Sequence, residues 1–208
     1  MQRRKFTALH RLVQPTLISL ALASSGAYAA PGDLDPSFGG KGWVTAEIGG
    51  DKDSANYAFD VIQQTDGKLL TVGSSFNGAN EDFAIYRYNN NGTLDTSFSG
   101  DGKAYTGMGL SNDVAHAVVQ QADGKLVVAG YAWVGNATDI AVARYNLDGS
   151  LDSNFGNQGI VVTSVNAEDD EARDVIVQTD GKIVIAGTSN RDFVVVRYNS
   201  NGTLDTSF

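Results

Sequence analysis

The sequence contains no cysteine, and only three of its 208 residues are proline. Without cysteine the chain can form neither a disulfide framework nor a thiolate metal site. Histidine is scarce too: His10 lies in an atypical N-terminal segment, and His116 is the other one in the sequence. Glycine is abundant at 24 residues, and hydrophobic residues make up 42% of the chain. This composition is typical of a turn-rich β protein rather than of a disordered chain.

The N-terminal segment, residues 1–30, has the composition of a bacterial export signal. Basic residues at Arg3–Lys5 and Arg11 precede an apolar run at Leu17–Ala23 and an A-x-A site at Ala27–Ala29. This order predicts cleavage near residue 30 and a periplasmic or extracellular location. The apolar run is too short for a membrane-spanning helix. Both general secretion and twin-arginine export remain compatible with the basic residues.

The rest of the chain is strongly acidic. The predicted signal holds four of the 15 basic residues and none of the 24 acidic ones, so 11 basic and 24 acidic residues remain, a net charge of −13. Such a surface repels phosphate backbones and anionic membranes. Nucleic acid is therefore not an expected partner, whereas a protein or a glycan is.

One unit recurs three times. Asp-Gly-Lys turns at Asp66, Asp123 and Asp180 are 57 residues apart, and Arg-Tyr-Asn triplets follow at Arg87, Arg144 and Arg197 with spacings of 57 and 53. The missing residues come from one loop, as expected of repeats built on fixed strands. The sequence therefore predicts three repeats of about 34–93, 94–150 and 151–203, with the start of a fourth.

Each repeat is predicted to contain four short strands. The first strands are Trp43–Ile48, Lys103–Thr106 and Ile160–Val165; the second are Ala58–Gln63, Ala115–Gln120 and Ala172–Val177; the third are Lys68–Gly73, Lys125–Gly130 and Lys182–Gly187; the fourth are Asp82–Tyr88, Asp139–Tyr145 and Asp192–Tyr198. The third and fourth strands are apolar without alternation, so both faces must be covered. We therefore expect an all-β protein, a β-propeller-type array of four-stranded antiparallel blades; a β-solenoid is the alternative.

These residues carry a family resemblance. The pattern Q-x-DGK, four apolar residues and Gly, then D, three apolar residues, RYN, and LD-x-(S/N)-F resembles the bacterial delta-60 repeat family over Leu34–Phe208. The resemblance implies a propeller-like fold in exported proteins. It implies no activity, catalytic residue or cofactor. Closed propellers have four to eight blades, so three repeats indicate an incomplete ring: either a piece of a longer array or a chain that associates to complete one.

The repeated polar residues are interpreted as structural. Arg87 shares a strand with apolar residues, so it needs a partner, and the recurrent acids Asp82 and Asp95 are the candidates. A ligand-binding ring of arginines is the functional alternative. In the Leu-Asp-x-Ser-Phe segments, the aromatic is expected to pack between sheets while Asp or Ser satisfies the turn.

The loops between the predicted first and second strands are rich in side-chain oxygens. They contain Asp51 and Asp53 in the first repeat, the amide Asn112 with Asp113 in the second, and Glu168–Glu171 in the third. Oxygen ligands of this kind could hold calcium, but they lack the EF-hand loop pattern, and solvated acids are the commoner case. No cofactor is predicted, with calcium the one alternative.

The sequence shows no catalytic, cofactor or metal set. His116 has Phe59 and Arg173 at the equivalent positions, which we interpret as a tolerant surface position. Trp133, near Tyr131, is a candidate for stacking on a sugar, with ordinary packing as the alternative. No nucleophile elbow of the G-x-S-x-G type is present.

Three function classes remain. The leading hypothesis is an exported binding or scaffold module without enzymatic activity, whose differing loops, Ser74–Glu81, Tyr131–Thr138 and Val165–Glu171, meet a protein or glycan. A propeller-type hydrolase or lactonase is the second, and its site would need repeat-specific polar residues on the innermost strand. There the predicted strands offer mainly threonines, namely Thr45, Thr106 and Thr163. A structural spacer within a larger surface protein is the third.

Overall fold

The structure is a computed structural model that describes residues 30, 32–46, 56–109 and 111–208. Apart from Ala30, the predicted export signal lies outside these residues, as do Asp51 and Asp53. Met1–Asp33 and Leu34–Phe208 are separate compact units, and all strands lie in the second. The described part of the chain contains no helix, and hence none long and apolar enough to cross a membrane.

Eleven strands form three antiparallel sheets in the described residues. The first sheet contains β1 (Asn56–Gln63), β2 (Leu69–Phe76), β3 (Glu81–Tyr88) and β4 (Lys103–Thr106); the second contains β5 (Asp113–Gln120), β6 (Leu126–Val134), β7 (Ala137–Tyr145) and β8 (Ile160–Thr163); the third contains β9 (Asp170–Val177), β10 (Ile183–Ser189) and β11 (Asp192–Tyr198). Within each sheet, strands pair in chain order. The predicted all-β, propeller-type array is confirmed, with unclosed sheets.

The last strand of each four-stranded sheet comes from the next sequence repeat. Lys103–Thr106, predicted to begin the second repeat, pairs with β3 in the first sheet, where Phe83 lies opposite Thr106. The prediction of a strand from Trp43 is wrong for residues 43–46, which are not in a strand. This segment corresponds to β4 and β8, but the described residues supply no preceding sheet for it to pair with. The repeat boundaries themselves stay a prediction.

The hairpins on Asp-Gly form as predicted. In the first, Gly67 takes a φ of 86°, which favours glycine, and the Asp66 carboxylate accepts a hydrogen bond from the Lys68 amide at 3.1 Å. The turns at Asp123 and Asp180 repeat this bond at 3.1 Å. These local turns therefore fix the register of each following strand.

The sheets stack face to face around two apolar cores. The first core contains Leu70, Phe83 and Ile85 of the first sheet against Val128 and Ala141 of the second. The second core lies between the opposite face of the second sheet and the third sheet. It contains Val127, Ile140 and Val142 of the second sheet and Ile183, Ile185 and Val196 of the third. The second sheet is thus covered on both faces, which explains why its strands are apolar without alternation.

One edge of each sheet meets its neighbours. Strand β1 contacts β5, and β5 contacts β9, so these three are the inner strands. Strands β4 and β8 lie at the opposite edge of their sheets and are the outer strands. This order decides which residues can form a site at the inner edge.

Candidate functional site

The repeated arginine is held in a buried clamp. Arg87 Nε lies 2.7 Å from Asp95 Oδ2, and Lys68 Nζ lies 2.8 Å from the same oxygen. Burial would raise the pKa of Asp95, but hydrogen bonds from Lys68 and Ser97 and the charge of Arg87 outweigh it and hold that pKa well below its usual range. The predicted ion pair with Asp95 is confirmed.

Asp82 is not the partner of Arg87. Its carboxylate accepts hydrogen bonds from the side-chain amides of Asn77 and Asn80 at 2.8 and 3.2 Å. The prediction that included Asp82 was therefore wrong, because this acid lies at the start of β3, whereas Arg87 lies near its end.

The clamps of the first two sheets also join each of these sheets to the next. Arg87 Nη1 donates to the carbonyl of Leu147 at 2.6 Å, and Arg144 Nη1 donates to that of Ser200 at 2.6 Å. The guanidinium of Arg87 stacks on the fully buried Phe98 ring, 4.7 Å from its centroid. Packing of this aromatic between sheets was predicted and is confirmed. The repeated residues are therefore the frame of the array.

The threonines predicted to line the innermost strand do not do so. Thr106 and Thr163 lie in the outer strands β4 and β8, and Thr45 lies outside any strand. Thr106 accepts a hydrogen bond from the Tyr145 hydroxyl at 2.7 Å, and Tyr198 donates to Thr163 at 2.8 Å. The error follows from the position of these strands, which pair with the preceding sheet.

Two of the three segments predicted as differing loops are the ends of strand hairpins: half of Ser74–Glu81 and most of Tyr131–Thr138 is strand. Ser74 to Phe76 continue β2, and Tyr131 to Val134 continue β6. The second hairpin stays paired up to Val134 opposite Ala137, which leaves two residues for its turn. Val165 to Asp169, by contrast, do connect two strands.

Two of the acids proposed for calcium hold loop amides in the structure. Asp113 and Asp170 are fully buried at the start of β5 and β9. The carboxylate of Asp113 accepts the Met108 amide at 2.6 Å, and that of Asp170 accepts the Val165 amide at 2.6 Å. Each thus fixes the loop that precedes its strand. Within the described ranges, no group of three acidic or histidine side chains could hold a metal ion.

The inner strands share a β-bulge at equivalent positions. The register of β1 skips from Ala58 to Asp60, and that of β5 skips from Ala115 to Ala117. In β9, Ala172 and Asp174 pair with β10, whereas Arg173 between them has no ladder partner. Bulges re-aim a side chain and occur often beside functional sites. The residues left without a ladder partner are Phe59, His116 and Arg173.

A glycine opposite each bulge makes room for it. Gly130 lies opposite Ala115, and a Cβ built on it would come within 1.9 Å of the Val114 carbonyl oxygen. Gly73 and Gly187 have the same close approach, at 1.7 and 2.0 Å. The glycine that ends each apolar run is therefore required by the inner strand.

His116 contacts both of the other bulged residues. The rings of Phe59 and His116 are 5.1 Å apart at 61°, and Arg173 Nη1 lies 3.2 Å from His116 Nε2. Around them, Tyr57 lies 6.0 Å from Phe59 and Tyr131 lies 5.6 Å from His116, measured between ring centroids. Arg173 also forms an ion pair with Glu171. We call these residues the axial cluster: Tyr57, Phe59, His116, Tyr131, Glu171 and Arg173.

Electrostatics keep the His116 ring neutral. Burial lowers its pKa to about 4, and the charge of Arg173 acts in the same direction. A neutral imidazole accepts the hydrogen bond that Arg173 donates. Beside it, about half the surface of Tyr57 and of Phe59 is exposed. The cluster therefore combines exposed rings with a paired cation and a neutral acceptor.

Sequence reasoning missed the axial cluster. His116 was interpreted as a surface position that tolerates any residue, but it is half-buried between Phe59 and Arg173. A signal was present: the preceding residue is alanine in all three copies, Ala58, Ala115 and Ala172, while the next one changes from Phe to His to Arg. A variable residue beside a constant one indicates a position where the copies differ in chemistry.

A protein-family model matches the segments that contain the repeated clamp residues. Residues 64–98, 121–155 and 178–208 match the model of a β-propeller domain described as a domain of unknown function, DUF5122. No curated protein matches the chain. The matched segments contain the clamp residues, and of the axial cluster they contain only Tyr131. The three repeats are therefore β-propeller repeats, and the candidate site lies mostly outside the part that the family model covers.

Proposed function

We propose that this β-propeller repeat protein is an exported binding module that holds a neutral glycan at the axial cluster. The observation that carries the proposal is the meeting of Phe59, His116 and Arg173, three different side chains projected from equivalent bulges. A purely structural repeat would not require three different side-chain chemistries at this position. The delta-60 assignment and export itself stay predictions, supported by the repeat motif and by residues 1–30.

The chemistry of the cluster suits a sugar ring. Exposed aromatic faces at Tyr57 and Phe59 offer flat apolar surface, which the C–H face of a sugar can cover. Trp133 is exposed two residues beyond Tyr131 on the same face of β6 and extends this rim. Planar polar groups of Arg173 and Glu171 can share hydrogen bonds with hydroxyl groups.

Charge disfavours an anionic ligand. Glu171 already neutralises Arg173, and the chain without its predicted signal carries 11 basic and 24 acidic residues. The field of such a protein repels polyanions. A neutral glycan meets no such barrier.

The cluster is better suited to binding than to acid–base catalysis. Polar residues specific to one repeat, which the hydrolase hypothesis required, are present as His116 and Arg173. A histidine with a pKa of about 4 is a weak base, however, because efficient proton transfer needs a pKa near the working pH. The remaining acid of the cluster, Glu171, is engaged by Arg173.

A glycan array followed by titration calorimetry tests the proposal. We expect the chain to bind at least one neutral oligosaccharide, and Phe59→Ala to weaken that binding by roughly 30-fold, the loss of about 2 kcal/mol typical of a central aromatic contact. Arg173→Ala should have a comparable effect. Val61→Ala, which truncates another exposed apolar residue of β1, is the matched control and should leave affinity unchanged. Equal affinity in all three variants, or no bound glycan, would refute the proposal.

A further inference from the structure

A groove lies between the second and third sheets, at the ends of their inner strands. It has a volume of about 610 Å³, and its lining includes Val119 of β5, Val177 of β9 and the turn residues Gln121 and Ala122. Arg144 of the clamp lines it as well. None of these residues belongs to the axial cluster, so the groove is a separate candidate site.

The interface between the first two sheets satisfies a backbone donor that the second interface leaves free. In the first, the Thr65 amide donates to Gln120 Oε1 at 3.2 Å. The equivalents 57 residues later are Ala122 and Val177. Valine has no side-chain acceptor, and the Ala122 amide donates to no group in the described residues. The change from glutamine to valine therefore leaves an N–H donor at the groove.

The clamp arginine differs between the two interfaces in the same way. Arg87 Nη2 donates to Ser97 Oγ at 3.0 Å. Asn154 is the equivalent of Ser97, and Arg144 Nη2 has no hydrogen-bond partner in the part of the chain that the structure describes. The other two nitrogens of Arg144 are engaged in the clamp, and this side chain is buried, at 7% exposure for the residue. The second interface thus has a second donor without an acceptor.

An acceptor and an apolar surface complete the lining of the groove. Gln121 Oε1 is buried without a hydrogen-bond partner among the described residues. Gln64 Oε1 at the first interface is in the same state, so the two free donors are what distinguishes the second. Val119 and Val177 are half-buried and supply apolar surface. The groove therefore offers two donors, one acceptor and an apolar wall.

We propose that this groove binds the acetamido group of an N-acetylated sugar. The carbonyl oxygen of that group has two lone pairs for the donors of Arg144 and Ala122, and its N–H group can donate to Gln121 Oε1. Its methyl group packs against the two valines. Such a ligand is favoured because it gives a partner to each polar group that lacks one. The proposal does not rest on binding at the axial cluster.

Other ligand classes match this set of groups less well. A carboxylate can accept from both donors, but it has no hydrogen for Gln121 Oε1, and the chain is strongly acidic. A hydroxyl group has both hydrogen-bonding functions but lacks the methyl group. A peptide carries an amide at every residue, whereas the groove has partners for one. A single amide on a sugar ring fits best.

An NMR titration of the isotopically labelled full chain with N-acetylglucosamine tests the proposal. We expect the Ala122 amide and Arg144 side-chain signals to shift, with a Kd on the order of 1 mM for a ligand of this size. Glucose, which has a hydroxyl group in place of the acetamido group, should bind at least roughly 10-fold more weakly. N-acetylalanine methylamide is the peptide probe and should bind no better than glucose.

Two variants that copy the first interface should close the site. Val177→Gln supplies an acceptor for the Ala122 amide, and Asn154→Ser supplies one for Arg144. Each should fold, because the same residue type stands at the equivalent position, and each should weaken binding roughly 10-fold. Val61→Gln makes the first change at an exposed valine of β1 outside the groove and should leave the affinity unchanged.

Phe59→Ala separates this site from the axial cluster, because it should leave the Ala122 and Arg144 shifts unchanged. Absence of those shifts at about 20 mM N-acetylglucosamine, roughly 20 times the expected Kd, would overturn the proposal. Equal affinity for glucose would do so too, as would tighter binding of the peptide probe. Unchanged affinity in both Val177→Gln and Asn154→Ser would also count against it.

Discussion

Asp152→Ala is expected to lower the free energy of unfolding by about 3–5 kcal/mol, the usual effect of breaking a buried ion pair. Asp152 is 2% exposed and accepts hydrogen bonds from Arg144 Nε and Lys125 Nζ, each at 2.8 Å. Removing the carboxylate leaves the buried Arg144 charge uncompensated. It also weakens the contact of Arg144 with the third sheet, because that guanidinium is no longer held in place.

Urea unfolding at pH 7 measures this effect, with Asp123→Ala as the control. Asp123 is an exposed acid whose carboxylate accepts one turn amide, so its loss should cost less than about 1 kcal/mol. A loss below 1 kcal/mol for Asp152→Ala would contradict the structural role of the clamp.

The same variant should change the acid sensitivity of the protein. Burial opposes ionisation of Asp152, but Lys125, the Asn154 amide and Arg144 lower its pKa to about 2. An acid with a lowered pKa in the folded state contributes stability above its unfolded value, near 3.8, and loses it as the pH falls through the folded value. Asp152→Ala should therefore lose less stability than the wild type between pH 4 and pH 2.

Gly130→Ala is expected to reduce stability by about 3 kcal/mol, the upper end for an overpacked site. The added Cβ would lie 1.9 Å from the Val114 carbonyl oxygen. A backbone atom cannot rotate away, so β5 and its bulge must move. The displacement should also disturb His116, two residues beyond Val114.

Gly109→Ala separates this clash from a general effect of removing glycine. A Cβ at Gly109 would have ordinary contact, with the nearest atom at 3.5 Å, so its effect should stay within about 0.5 kcal/mol. Thermal and urea unfolding of both variants provide the comparison. Equal stability of the two would show that β5 does not approach β6 as closely as described.

Local features of the sequence predicted the frame of this protein. The Asp-Gly pair at Asp66 specifies a hairpin by its own backbone preference. The apolar run from Leu69 has an equivalent in the second sheet, Leu126–Gly130, that is buried on both faces. The prediction of the Arg87–Asp95 pair succeeded because both residues recur in every copy at a fixed spacing. Such signals lie within one repeat, so they can be recognised from the sequence without knowing how the repeats pack together.

Features that depend on contact between repeats were missed. Lys103–Thr106 has the composition of a strand, but nothing in those four residues shows that β3 is its partner. The contact of His116 with Phe59 and Arg173 joins residues 57 positions apart on each side. The bulges that bring them together depend on glycines in the neighbouring strand. Comparing the copies position by position, rather than seeking a shared motif, would have singled out this site.

The repeated and the variable residues therefore have separate roles in this account. Arg87, Arg144 and Arg197 lie in equivalent clamps, and the first two of these arginines bond to the following sheet. Arg173, which has no arginine at its equivalent positions, lies in the axial cluster with an exposed side chain. Function is proposed where the copies differ on the inner strands.

An NMR titration of His116 tests the central claim, that equivalent bulged residues of the three sheets meet at the inner edge. His10→Gln leaves His116 as the one histidine of the chain, so its ring signals need no further assignment. We expect a pKa of about 4 for His116, and a rise in that pKa when Arg173 is replaced by alanine. A pKa at the ordinary value of 6.5, unaffected by Arg173→Ala, would contradict the contact on which the site is built.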